Sequence, residues 1–234
     1  MIRFQIAKWA AWAPAANTSQ ASLLNLAGLS NEAPSLSEMP AMLRRRAGRL
    51  GKTALHTAYQ AAEQGTACPV IFASRYGDIT QSVEQLQLLA QSGVVSPSAF
   101  SMSVHNAISA LFSIARKDTA SYTAIAAGEE TIEAAFTEAI GLLADDDAAS
   151  VLLVCYDEPL PAPHHVFTES PAFAHAFACR LVKADRGFSL SSHATTHPAD
   201  DLPDGLAILH FLLSEQHSLR HTAGARTWLW QQDV

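Results

Sequence analysis

The run SVLLVCY at Ser150–Tyr156 leaves this chain little choice of architecture. An almost wholly apolar strand of that length belongs in a sheet covered on both faces. A second short apolar run, PVIFAS at Pro69–Ser74, is bounded by turn signals and reads as another buried strand. Around these strands the hydrophobic period becomes helical. Asp78, with Gln81 three residues on, is a capping-box variant that starts a helix. Val83, Leu86, Leu89 and Ala90 then fall at helical spacing, and this helix stops near Gly93. Alternation of buried strands with helices predicts α/β layers.

The rest of the chain is read in the same way. Ile2–Trp12 suits a first strand, and residues 13–40 read as a loop with room for one short helix. Met39–Glu63 is rich in helix formers, interrupted by Gly48 and Gly51. SPSAF at 96–100 is a turn. Ser101–Ala115 is a helix with Val104, Ile108, Leu111, Phe112 and Ala115 on one face. Ala120–Ala126 is a strand, and Glu129–Leu143 is a helix with Ile132, Ala135, Phe136, Ala139 and Leu143 inward. Asp145, Asp146 and Asp147 mark a solvated turn, and 157–171 is a proline-rich loop. Phe173–Val182 and Phe188–His193 are expected to pair as antiparallel strands across ADRG. Asp204–His217 suits a helix and TWLWQQ a terminal strand. With no repeat and no clear linker, residues 1–234 read as one domain.

Composition narrows the function. A net charge of −7 argues against non-specific nucleic-acid binding. Hydrophobic residues make up 49% and charged residues 16%, which points to much buried surface, some of it against a partner. Cys68, Cys155 and Cys179 are odd in number, far apart and not in CxxC pairs, so a reducing compartment fits better than a disulfide framework. No apolar run approaches the roughly 20 residues that span a bilayer. The N-terminal MIRFQIAKWAAWAPA is interrupted by Arg3, Gln5 and Lys8 and reads as a strand rather than a signal peptide. A cytoplasmic protein is expected.

The stretch YTAIAAGEE at 122–130 carries the functional question. A strand, a sharp turn at Gly128 and a helix start make the kind of elbow at which enzymes place a nucleophile, where backbone N–H groups and the helix dipole stabilise an anion. Here the turn holds Gly128, Glu129 and Glu130. Two readings fit: a turn glycine followed by acids that the helix dipole favours, or a nucleophile site that has lost its nucleophile.

The order of several motifs favours the second. SRYGD (74–78), SPSAF (96–100), Asn106 and YTAIAAGEE (122–130) resemble, in sequence order, the N-terminal half of β-ketoacyl synthases. The resemblance implies a thiolase-like layered α/β fold. It places Gly128, or Glu129 one residue on, where those enzymes carry the elbow cysteine. It also implies that the second half, with its two catalytic histidine motifs, is absent. A condensing enzyme needs the thiolate to hold the acyl chain and the histidines to assist decarboxylation and stabilise the enolate.

The chain thus resembles the chain length factors that form the inactive halves of type II polyketide and aryl polyene ketosynthase heterodimers. Implied partners are a cysteine-bearing ketosynthase and an acyl carrier protein; no cofactor is implied. The strand Ser121, Tyr122, Thr123, Ala124, Ile125 and Ala126 would pair across the dimer interface. Phe100, Met102, Ser103, Ile108 and Phe112 would lie near the end of the partner's acyl tunnel and set its depth, each read otherwise as an ordinary core residue.

Other features are weaker. RRRAGRLGK (44–52) carries five of the fifteen basic residues. Arg44, Arg45, Arg46 and Arg49 are candidates for docking an acidic carrier protein, against a solvated helix face or internal ion pairs. His193 with His197, and His217 with His221, stand four apart, and His210 lies on a similar face to the second pair. No Cys or HExxH glutamate accompanies them, so surface roles are preferred to a metal site. Glu129 and His105 are the residues a stand-alone acyl transferase or decarboxylase would have to use. A carrier-recruiting scaffold is the other alternative.

Overall fold

The structure is a computed structural model that describes residues 2–14, 29–30, 32–145, 148–162, 164–167, 173–196 and 205–233. Most of the expected 13–40 loop, Asp146, Asp147, His197, Asp204 and parts of the proline-rich loop lie outside the described residues. In chain order the elements are β1 (Arg3–Trp12), β2 (Leu29–Ser30), α1 (Ala41–Arg44), α2 (Arg49–Ala61), β3 (Val70–Ala73), α3 (Ile79–Ser92), α4 (Pro97–Phe100) and α5 (Ala107–Arg116). There follow β4 (Tyr122–Ile125), α6 (Thr131–Ala144), β5 (Val151–Asp157), β6 (His175–Ala184), β7 (Phe188–Ala194), α7 (Gly205–Leu213), β8 (Ser218–Ala223) and β9 (Arg226–Gln232).

One nine-stranded sheet has the order β4-β3-β5-β6-β1-β7-β9-β8, with β2 beside β1. β3 runs parallel to both β4 and β5, and from β6 onward the pairing along this path is antiparallel. Strand alternation sorts side chains to two cores. Leu152, Val154 and Tyr156 join Phe72, Ala176 and Ala178 beneath α2 and α5. Val151, Leu153 and Cys155 join Ile71, Phe177 and Cys179 beneath α6 and α7. Helices therefore cover both faces, as the unbroken apolar strands require.

Burial raises the thiols of Cys155 and Cys179, which serve as packing groups. Among the described residues, no helix is long and apolar enough to cross a membrane.

Four expectations need correction. First, the long helix of Met39–Glu63 is two helices, broken before Gly48, which precedes α2 in an extended conformation. Second, SPSAF forms the one-turn helix α4, capped by the Ser96 hydroxyl. The following helix starts at Ala107 rather than Ser101, leaving Val104 exposed ahead of it.

Third, the strands on either side of ADRG are not neighbours, because β1 lies between them. The link passes over the end of β1 at Gly187, whose φ is 136°. A Cβ there would collide with the Phe4 carbonyl oxygen, so glycine is required. Fourth, the segment expected to continue one helix to His217 ends at Leu213, and 218–223 is the unforeseen strand β8, paired with β9.

The apolar face of α3 is left uncovered among the described residues. Asp78 does cap the helix, accepting from the Gln81 N–H, and Gly93 ends it in the left-handed conformation. None of its fourteen residues is buried, however.

His56 gives α2 a pH dependence. Its Nε2 is buried without a hydrogen-bond partner among the described residues. Burial lowers its pKa from 6.5, more than Glu38 and Glu32 raise it. Between that lowered value and 6.5 the unfolded chain binds more protons than the folded one, so stability falls as pH drops through this window. A thermal-melt series from pH 7.5 downward should show this loss, and His56→Gln should make the slope shallower. An unchanged slope would remove His56 from the account.

Candidate functional site: an elbow without a thiol

Among the described residues, β4 forms one edge of the sheet, bonded to β3 alone. Beyond it the chain turns sharply at Gly128, with φ of 60°, passes through a 3-10 turn at Gly128–Glu130 and enters α6. The turn is fixed locally by Thr131. Its hydroxyl accepts from the Ala127 N–H at 3.0 Å and donates to the Gly128 carbonyl at 2.7 Å. Gly128 is exposed, and a Cβ built there meets nothing within 4 Å. The positive-φ position at the elbow is thus open and carries no side chain. Its neighbour Glu129 points elsewhere, accepting from the Gly224 N–H at 3.1 Å.

The two acids beyond Glu129 are also engaged. Glu130 accepts from Trp228 Nε1 at 3.1 Å. Glu133 is buried and accepts from His221 Nε2 at 2.7 Å, with side-chain exposures of 1% and 4%. All three hydrogen-bond partners lie on the hairpin formed by β8 and β9, which sequence reading missed.

A second polar cluster closes the strand ends next to the elbow. Asp157 ends β5 and accepts from Ser74 Oγ at 2.7 Å and from the Arg75 N–H at 3.1 Å. Ser74 Oγ in turn accepts from the Gly77 N–H at 2.8 Å. Burial raises the Asp157 carboxyl, while His175, its partner across β6, works against that rise. His105 donates from Nε2 to the Ser74 carbonyl at 2.9 Å. The cluster holds the SRYGD loop in shape. Its signal in the sequence is a polar residue ending each of two buried strands, Ser74 and Asp157.

The remaining candidates separate by burial. Ile108 and Phe112 pack in the core beneath α2 and α5, where Phe112 meets Tyr59 at 5.2 Å and Phe72 at 5.8 Å. Met102 is buried with them. Ser103 is half-buried, and Phe100 is 61% exposed. In the expected interface segment, Ser121, Tyr122 and Ala126 are exposed, and Thr123, Ala124 and Ile125 are half-buried.

Of the arginines, Arg44 is half-buried and donates to the Leu36 carbonyl at 3.4 Å, whereas Arg45, Arg46 and Arg49 are exposed, Arg49 pairing with Glu158 at 2.8 Å. They rim a cleft of about 480 Å³ that also holds Asp78, Glu84 and Glu158. His193 and His217 are exposed, and His221 faces Glu133 from a strand rather than sharing a helix face with His217. Among the described residues, no three metal-ligating side chains converge.

Comparison with known proteins agrees with this geometry. No curated protein sequence matches the chain. Among solved structures, it is similar to a chain of the ketosynthase ApeO in complex with its chain length factor ApeC from Xenorhabdus doucetiae. That match has a TM-score of 0.82 at 23% identity and covers 99% of this chain and 100% of the other.

It is also similar to the ishigamide ketosynthase/chain length factor, with a TM-score of 0.63 at 16% identity, covering 83% of this chain and 68% of that one. A further match is AntDE:AntF, a type II polyketide synthase acyl carrier protein in complex with its ketosynthase. Its TM-score is 0.61 at 14% identity, covering 83% of this chain and 69% of that one. These likenesses show a shared thiolase-like layered fold. The family model for the β-ketoacyl synthase N-terminal domain matches residues 9–231, and the chain belongs to that family.

Proposed function

We propose that this chain is the non-catalytic chain length factor of a heterodimer with a cysteine-bearing β-ketoacyl synthase. The pair would elongate polyketide or aryl polyene chains on an acyl carrier protein. The observation that carries this reading is an elbow of the family's fold with Gly128 in place of a thiol, set beside an open sheet edge. Support comes from α3, which leaves Leu86, Leu88 and Leu89 exposed, and from Val94, Phe100 and Val104 beyond it. A surface so apolar calls for a protein partner.

In this reading residues 1–234 act as one unit, and the partner supplies the thiolate and the histidines. The segment 121–126 pairs across the interface. The ketosynthase complexes among the similar structures, one of them with its carrier protein, are in keeping with such partners. The stand-alone enzyme is disfavoured, because Glu129 is committed to the Gly224 amide and His105 to the Ser74 carbonyl. Carrier docking falls first to Arg45 and Arg46, since Arg49, though exposed like them, is paired with Glu158.

Among the candidate gate residues, Phe100 best suits a tunnel end shared with a partner, since it is large and unburied in this chain. Ser103 lies one turn further on, with its hydroxyl on the Phe100 carbonyl. Met102, Ile108 and Phe112 stand behind them in the core. A bulky side chain at a tunnel end stops growth through an overpacking cost of about 1–3 kcal/mol.

In a reconstitution of this chain, ketosynthase, carrier protein and malonyl units, Phe100→Ala should lengthen the products or broaden their distribution, with thermal stability unchanged. This chain alone should show no turnover. Turnover by the isolated chain, or a product profile indifferent to Phe100 and Ser103, would count against the proposal.

A further inference from the structure

The C-terminal hairpin, residues 218–232, lies along the first two turns of α6. It is fastened there by three glutamates in a graded series. Glu129 is exposed and takes the Gly224 amide, Glu130 is half-buried and takes the Trp228 indole, and Glu133 is buried and takes His221. Below them Trp230 meets Phe136 edge-on at 4.8 Å. Acids at a helix start ordinarily serve their own helix amides. Here Glu130, the residue preceding α6, makes no side-chain cap bond, and each carboxylate reaches a donor 88 to 98 residues away.

We infer that Glu129, Glu130 and Glu133 are positioning residues that clasp the C-terminal hairpin to the elbow. They thereby hold the turn 126–128, and the end of the β4 edge, in the geometry a partner subunit meets. Few other contacts hold that turn. Its Thr131 bonds are local, and among the described residues β4 has a neighbour on one side only. Bonds to distant residues at the start of α6 therefore come largely from the hairpin. The role deepens the heterodimer reading and rests on it, since the partner is what the turn is positioned for.

Amide hydrogen exchange and ketosynthase affinity, measured on the full chain, test the clasp. Glu129→Ala with Glu130→Ala removes two bonds at the surface and spares the core. Exchange at Gly224 and at 126–128 should accelerate about tenfold, as expected for the loss of charged hydrogen-bond acceptors, and affinity should fall by a similar factor. Glu133→Leu should do the same more strongly, whereas Glu133→Gln keeps an acceptor for His221 and should restore both readouts.

Faster exchange in the hairpin with unchanged exchange at 126–128 and unchanged affinity would overturn the inference and leave the hairpin a structural appendage. Unchanged exchange throughout would overturn the clasp itself. If the wild-type chain ignores the ketosynthase, the heterodimer reading fails, while exchange at 126–128 still decides whether the clasp fixes the turn.

Discussion

Replacing Leu86 and Leu89 together by Asp should abolish association with a ketosynthase and leave the isolated fold nearly untouched. The two side chains are three residues apart on α3, so they share a face, and they are 64% and 46% exposed. Exposed positions tolerate change to within about 0.5 kcal/mol, with a further few tenths per residue for the weaker helix propensity of Asp. At an interface the same carboxylates would be desolvated without partners. If each apolar anchor is worth about 2 kcal/mol, the pair should weaken binding by about a thousandfold. Titration calorimetry with the ketosynthase, alongside a thermal melt, reads both quantities. A large loss of stability would mean that α3 packs on its own chain; unchanged affinity would mean that the partner sits elsewhere.

Phe136→Ala should instead strike the fold. The ring is wholly buried, 5.7 Å from Phe4 and 4.8 Å from Trp230, so it joins α6 to the first strand and to the last. Truncating a buried Phe costs about 3–5 kcal/mol in lost burial and cavity. For a chain of this size that corresponds to a fall in melting temperature of roughly 6–20 °C. A shift under about 3 °C would show that the site collapses around the smaller residue, or that β9 does not pack there.

How much of this was legible in the sequence depends on the range of the interaction. β3 and β5 were plain in PVIFAS and SVLLVCY, because burial on both faces writes itself into local composition. The inward face of α6 was also legible: Ala135, Phe136, Ala139 and Leu143 are buried as their spacing predicts. What failed was long-range. Helical periodicity at Leu86 and Leu89 says that a face is apolar, but not whether this chain or another covers it. ADRG looks like a hairpin turn, and the passage of β1 between its flanking strands leaves no local mark beyond Gly187.

The site divides along the same line. Gly128 was marked as the elbow by the strand, the glycine and the acids that follow it, and the structure gives it the positive φ of a sharp turn. The destinations of those acids were not readable. Gly224, His221 and Trp228 reach α6 only because SLRHTA pairs with TWLWQQ to make a hairpin, and SLRHTA alone carries too little apolar alternation to read as a strand.

A chain that completes a ketosynthase must bind one. The most direct test is to co-express this chain with a cysteine-bearing ketosynthase encoded beside it and to measure the mass of the purified species in solution. A stable one-to-one complex is expected. A well-behaved monomer or homodimer that ignores the ketosynthase would contradict the heterodimer reading.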